Sequence, residues 1–123
     1  MYFLNISIMN RWIRTFILLL FALSTQWMQA QNVAKIGTEN YSTLEAAFAA
    51  AQDGETITFL SDCSGNGIVV PQGKFTTGLT VDFDGFTYTV DGATVGSTGT
   101  ETQAFQLLKD NTITFQNGTI YSE

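Results

Sequence analysis

The chain has 123 residues, no histidine, a single cysteine and a formal net charge of −6. An acidic chain has little with which to displace counterions from a phosphate backbone, so composition argues against a nucleic-acid partner. One cysteine permits no internal disulfide, and a chain this short buries a limited core.

The chain opens with a three-part export pattern. Arg11 and Arg14 form a basic n-region, residues 15–23 (TFILLLFAL) an apolar stretch, and residues 24–30 a polar run ending in Ala30. A membrane span needs about 20 continuous apolar residues, and Arg14 with the polar run at 24–26 leaves too few. The expectation is a signal peptide over residues 1–30, cleaved after Ala30, with Met9 as an alternative start. Contact with a membrane is then expected only through this segment before cleavage. Both arginines leave with it, while all 11 acidic residues remain against Lys35, Lys74 and Lys109, so the mature net charge becomes 3 − 11 = −8.

Residues 31–123 read as one small domain. Val33–Gly37 alternates and predicts a first strand, followed by a turn signal at Thr38-Glu39-Asn40. Ser42-Thr43-Leu44-Glu45 has the form of a capping box. Leu44, Ala47, Phe48 and Ala51 follow as one apolar stripe, predicting an amphipathic helix over Thr43–Gln52 that Gly54 stops. After Gly54 the period becomes two. Strands are predicted at 56–60, 67–70 (closed by the chain's single proline, Pro71), 79–83, 86–90, 104–108, 112–115 and 119–121, with a Gly- and Thr-rich loop from Asp91 to Gln103.

Three of these strands share an apolar–Thr–apolar pattern: Ile57-Thr58-Phe59, Leu79-Thr80-Val81 and Ile113-Thr114-Phe115. Their starts lie 22 and 34 residues apart, and the longer interval accommodates an insertion around Gly92–Thr102. Such spacing signals a repeat whose units stack on one another. In a parallel stack, Ile57, Leu79 and Ile113 form one inward column and Phe59, Val81 and Phe115 the next. Thr58, Thr80 and Thr114 then form an outward row, and Gly85 and Gly118 take positive φ at corners. The alternative is an antiparallel β-sandwich in which Asp84-Gly85 turns a hairpin between 79–83 and 86–90.

The run from Ala34-Lys35-Ile36-Gly37 through Tyr41-Ser42-Thr43-Leu44-Glu45-Ala46-Ala47 to Asp53-Gly54-Glu55-Thr56-Ile57 resembles the start of pectate-lyase-like right-handed parallel β-helix domains. Asp84-Gly85 and Asn117-Gly118 are similar to the corners of their later turns. The resemblance implies a mostly-β solenoid capped by one N-terminal helix, in a secreted or cell-surface bacterial protein. It also implies that residues 31–123 are the first turns of a longer stack, with an open C-terminal end covered by a downstream domain or a partner chain.

The lyase version of that fold abstracts a proton beside a sugar carboxylate, using Ca2+ and an Arg or Lys base. Asp82, Asp84 and Asp91 are the one candidate oxygen cluster for Ca2+, although Asp84 is also a turn former and Asp82 a solvated outward residue. No arginine survives cleavage, and Lys74 and Lys109 fall in turns. Without histidine, Cys63 and the hydroxyl residues lack a general base, and Cys63 reads as a packed strand-end residue. Asn40-Tyr41-Ser42 and Asn117-Gly118-Thr119 match glycosylation sequons but also suit turns. Tyr41, Phe75, Phe86 and Tyr88 are candidate sugar-stacking aromatics, with Phe86 and Tyr88 better placed for a core. The expectation is a non-enzymatic, adhesin-like or glycan-contacting β-helix module with no cofactor. The alternatives are the N-terminal part of a polysaccharide lyase or hydrolase and a small β-sandwich binding module.

Overall fold

A computed structural model describes residues 31–122; the export segment at residues 1–30 lies outside them. The described chain is mostly β, with one short helix and three open sheets. It begins with β1 (Ala34–Ile36) and β2 (Glu39–Tyr41), an antiparallel pair joined through Gly37-Thr38. Gly37 takes φ +59 there, a backbone angle that costs glycine little. Residues 39 and 40 therefore lie in a strand, and the turn falls two residues earlier than their polarity suggests.

Helix α1 (Leu44–Ala50) follows. The cap is Thr43 rather than Ser42: its Oγ1 accepts from the Ala46 N–H at 3.1 Å. The helix also ends before Gly54. Ala51 is already extended, with φ −62 and ψ 139, and Gly54 takes φ +87 in the turn beyond. The predicted stripe is the buried face, with Leu44, Ala47, Phe48 and Ala51 all inside.

The remaining strands are β3 (Thr56–Phe59), β4 (Cys63–Gly65), β5 (Ile68–Val70), β6 (Leu79–Asp82), β7 (Thr87–Val90), β8 (Phe105–Leu107), β9 (Ile113–Gln116) and β10 (Thr119–Ser122). One sheet has the order β2-β1-β3-β6-β9, a second β10-β7-β4, and a third β5-β8. From β3 onward consecutive strands occupy different sheets, and β6 to β10 each run parallel to the preceding strand of their own sheet. The Asp84-Gly85 hairpin is thereby overturned. β6 and β7, which flank it, pair with β3 and β9 and with β4 and β10, not with each other. Asp84 and Gly85 both take positive φ, +48 and +86, but they turn a corner between sheets.

The register corrects the first interval of the repeat. Ile57 faces Val81, not Leu79, and Thr58 faces Asp82; the second interval holds, with Leu79 on Ile113 and Val81 on Phe115. The outward threonine row consequently runs through Thr56, Thr80 and Thr114. Its physical cause lies ahead of the strands. The Asp53 carboxylate accepts from the Thr77 and Gly78 N–H groups at 3.0 and 2.9 Å, and Gly54 N–H donates to the Gly78 carbonyl at 2.8 Å. Those bonds fix the entry to β6 against the entry to β3, and side-chain similarity does not override them. The shift also brings Phe83 onto Phe59, with ring centroids 4.6 Å apart.

The interior is apolar throughout: Ile57, Phe59, Ile68, Val70, Phe75, Leu79, Val81, Phe83, Tyr88 and Val90 are buried. At the β9–β10 end the same inward columns continue into Ile113 and Phe115, which are half-buried, and Ile120, which is 37% exposed. The insertion lies between β7 and β8, outside the ladders, pinned by the Val95–Thr102 bridge.

Candidate functional site

A cleft with a volume of about 410 Å3 lies between α1 and β5. Its walls are Phe48 and Ala49 from the helix and Ile68 and Val69 from the strand, with Glu45 and Lys74 as its charged groups. Lys74 belongs to the turn after β5. Its Nζ donates to the Phe48 and Ala49 carbonyls at 2.6 and 3.3 Å, capping the negative end of the helix. It also stands 5.3 Å from the centroid of the Phe75 ring, a cation–π distance. A general base for proton abstraction needs a free lone pair within reach of substrate, and this ammonium is turned into the helix terminus.

Several other polar side chains bond segments that lie far apart in the sequence. Asp53 holds the Thr76–Gly78 turn, accepting also from the Thr76 hydroxyl at 3.1 Å. Asp62 accepts from the Thr87 N–H at 2.8 Å. Asn111 accepts from the Phe75 N–H at 2.8 Å and donates to the Pro71 and Leu108 carbonyls, each at 2.8 Å. Asp82 accepts from the Asp84 N–H at 2.9 Å, from Asn117 Nδ2 at 3.1 Å and from Gln116 Nε2 at 3.3 Å. Sequence pattern gives none of Asp53, Asp62 or Asn111 this bonding role, because each reaches residues 23 to 40 positions away.

The Gly78 and Thr77 amides lower the Asp53 carboxyl below its ordinary value. The Asp84 amide, with the Asn117 and Gln116 side chains, does the same for Asp82. A depressed carboxyl contributes stability above its unfolded value, and that contribution is lost as pH falls through the folded one. Thermal melts from pH 5 down to pH 2 should therefore show a falling Tm that Asp53→Asn and Asp82→Asn each flatten. An unchanged slope in both variants would remove these carboxylates from the account.

Asp82, Asp84 and Asp91 are not brought together. Asp82 is occupied by amide donors, Asp84 sits in the corner, and Asp91 follows β7 with its N–H on the Gly65 carbonyl. Among the described residues, no group of three His, Cys, Asp or Glu side chains is placed to hold a metal ion. Cys63 packs half-buried on β4, where burial and then the Asp62 charge raise its thiol above the ordinary value, opposite to the shift a nucleophile needs.

Of the aromatic candidates, Phe75 is wholly buried and closed to a sugar ring. Tyr88 is also inside: its hydroxyl donates to the Asn66 carbonyl, and burial, followed by the charges of Cys63, Glu45 and Asp91, pushes its phenol well above the ordinary value. Phe86 and Tyr41 pack half-buried on the core margin. Asn40 is exposed on β2, whereas Asn117 is engaged with Asp82. Sequence reasoning did not find the cleft, since the α1 stripe reads as core and β5 as an ordinary short strand.

Comparison of the chain with protein-family models, with curated proteins and with solved structures gave no match.

Proposed function

We propose that the chain is a non-enzymatic secreted or cell-surface module of the pectate-lyase-like kind, adhesin-like or glycan-contacting, and built as the start of a right-handed parallel β-helix. The ordered passage through three sheets, with every return pass parallel, supports the solenoid. Right-handed crossover is the strongly preferred sense for parallel strands in one sheet. The observation that carries the non-enzymatic reading is the use of the polar side chains: Asp53, Asp62, Asp82 and Asn111 are bonded to neighbouring turns and Lys74 to a helix end. A further rung or a partner chain would cover the half-exposed Ile113, Phe115 and Ile120, since a bare sheet edge beside apolar side chains invites unwanted pairing.

The test uses the chain expressed from its own start and recovered outside the cell. Its N-terminal sequence should begin at Gln31, and incubation with an acidic polysaccharide and Ca2+ should yield no unsaturated product. A glycan array should give a saturable signal. Turnover of the polysaccharide would overturn the non-enzymatic reading, retention of residues 1–30 the processed export, and a blank array the glycan contact.

A further inference from the structure

Strand β5 has two edges, and its sheet fills only one of them. In a parallel ladder, a residue that bonds its neighbour strand does so through both N–H and C=O, and the next residue turns both groups away. Ile68 N–H donates to the Ala104 carbonyl at 2.9 Å, and the Val70 carbonyl accepts from Leu108 N–H at 3.1 Å. Ile68 and Val70 therefore face β8. Val69 turns its N–H and C=O to the opposite edge, where β5 has no strand partner among the described residues, and that edge borders the cleft beneath α1. Val69 is 37% exposed, and a strand edge left open presents a donor and an acceptor that native chains pair or cover.

The chain answers the same requirement elsewhere. In the neighbouring sheet, β3 is the first of the parallel strands, and the edge it turns away from β6 is covered by β1, laid antiparallel with Ala34 on Phe59 and Lys35 on Thr58. At β5 the corresponding place holds the cleft. Its charge is equally specific. The hydrogen bonds of Lys74 among the described residues go to carbonyl oxygens and to no carboxylate, so although it caps the helix end no formal negative charge is hydrogen-bonded to it, in a chain of net −6. An acidic segment is attracted there and repelled by most of the remaining surface. Glu45, in the same cleft, disfavours a second acid at its own position.

We propose that the cleft binds an extended peptide segment of a partner protein, which adds as a strand to β5 through the Val69 N–H and C=O. One acidic side chain of that segment lies at Lys74. Main-chain bonds supply affinity in this mode, and the flanking pockets supply selectivity. The proposal rests on the reading of the chain as a non-catalytic contact module.

The probe is a displayed library of random ten-residue peptides selected on the whole exported chain, with enriched sequences remade as fluorescent peptides and measured by anisotropy. Enrichment of alternating β-branched sequences carrying one Asp or Glu is expected. Val69→Pro deletes the donor on the free edge and leaves the β8-facing groups of Ile68 and Val70 in place, and edge strands accept proline at such positions. It should weaken binding at least tenfold. Lys74→Gln should weaken the acidic peptide but not its Gln-for-Glu counterpart. Methylating the peptide nitrogen that faces the Val69 carbonyl should abolish binding to the unaltered protein, which keeps the test decisive even where Val69→Pro fails to fold.

No enrichment, or peptides indifferent to Val69→Pro and to N-methylation, overturns the proposal. Self-association abolished by Val69→Pro overturns it in favour of a second copy of the chain. A glycan signal without peptide binding leaves the contact-module reading standing and removes this site. Polysaccharide turnover with peptide binding does the reverse.

Discussion

Replacing Phe59 with alanine should cost about 3–5 kcal/mol, the range for truncating a buried aromatic. Phe59 is 1% exposed, its ring lies 4.6 Å from that of Phe83 and 6.2 Å from that of Tyr88, and so it links its own sheet to β7 of the second. Tilted and edge-on ring pairs add about 0.5–1.5 kcal/mol beyond the area they bury. The space left cannot collapse easily, because the β1 and β6 backbones on either side of β3 are locked into its ladder. A small domain holds about 5–15 kcal/mol in total, and each kcal/mol shifts the Tm of one this size by about 4–8 °C. The variant should therefore melt at least 12 °C lower by circular dichroism, with Phe59→Leu losing well under half as much. Equal losses for the two would show that the ring cluster, and not the apolar area buried, sets the cost.

Gly118→Ala should be the most damaging of the glycine substitutions at the corners. A β-carbon at Gly118 would overlap the Phe83 Cβ and the Phe86 carbonyl, neither of which is the loose end of a side chain. The backbone there is not left-handed, so the requirement is close approach alone. The positive φ expected at this corner belongs to Asn117, at +59. Overpacking of this kind costs about 3 kcal/mol at the upper end of its usual range. Gly85→Ala meets open space but holds φ +86, a backbone strain of about 1–2 kcal/mol. Urea unfolding should rank Gly118→Ala below Gly85→Ala in stability. Amide exchange should show β10 (Thr119–Ser122) protected least in the former. The reverse ranking would mean that backbone strain outweighs contact at these corners.

The contrast between the two glycines shows what a sequence discloses and what it withholds. Alternation located most strands, and the Leu44, Ala47, Phe48 and Ala51 spacing located the helix face, because burial imposes those periods directly on the chain. β4 was missed: Cys63-Ser64-Gly65 has no alternating apolar pattern and is a strand only because it pairs with Tyr88-Thr89-Val90. The first interval of the repeat was misaligned because the Ile-Thr-Phe and Leu-Thr-Val motifs match by composition, whereas the Asp53 carboxylate sets the true register from outside both. The helix cap slipped by one residue for a similar reason, since Ser42 and Thr43 are both competent and geometry decides. As for the cleft, Lys74 and Phe48 are 26 residues apart, and no local pattern joins them. Asp82, which the lyase resemblance and its spacing from Asp84 offered as a Ca2+ ligand, is an acceptor for three donors.

The insertion between β7 and β8 bears on how such a chain can change. Val70 still meets Leu107, and Ile68 still meets Phe105, although this turn of chain carries the whole of Asp91–Gln103 that the turn before it does without. A connection there lengthens at a closure cost that grows only with the logarithm of its size, and the ladders on both sides keep their alignment. That position is a natural graft point: a foreign epitope or a reporter peptide placed between Ser97 and Thr100 would cost the Thr100–Ser97 turn and the bonds from Gln106 to Thr100, while the backbone ladder of β5 and β8 keeps its alignment.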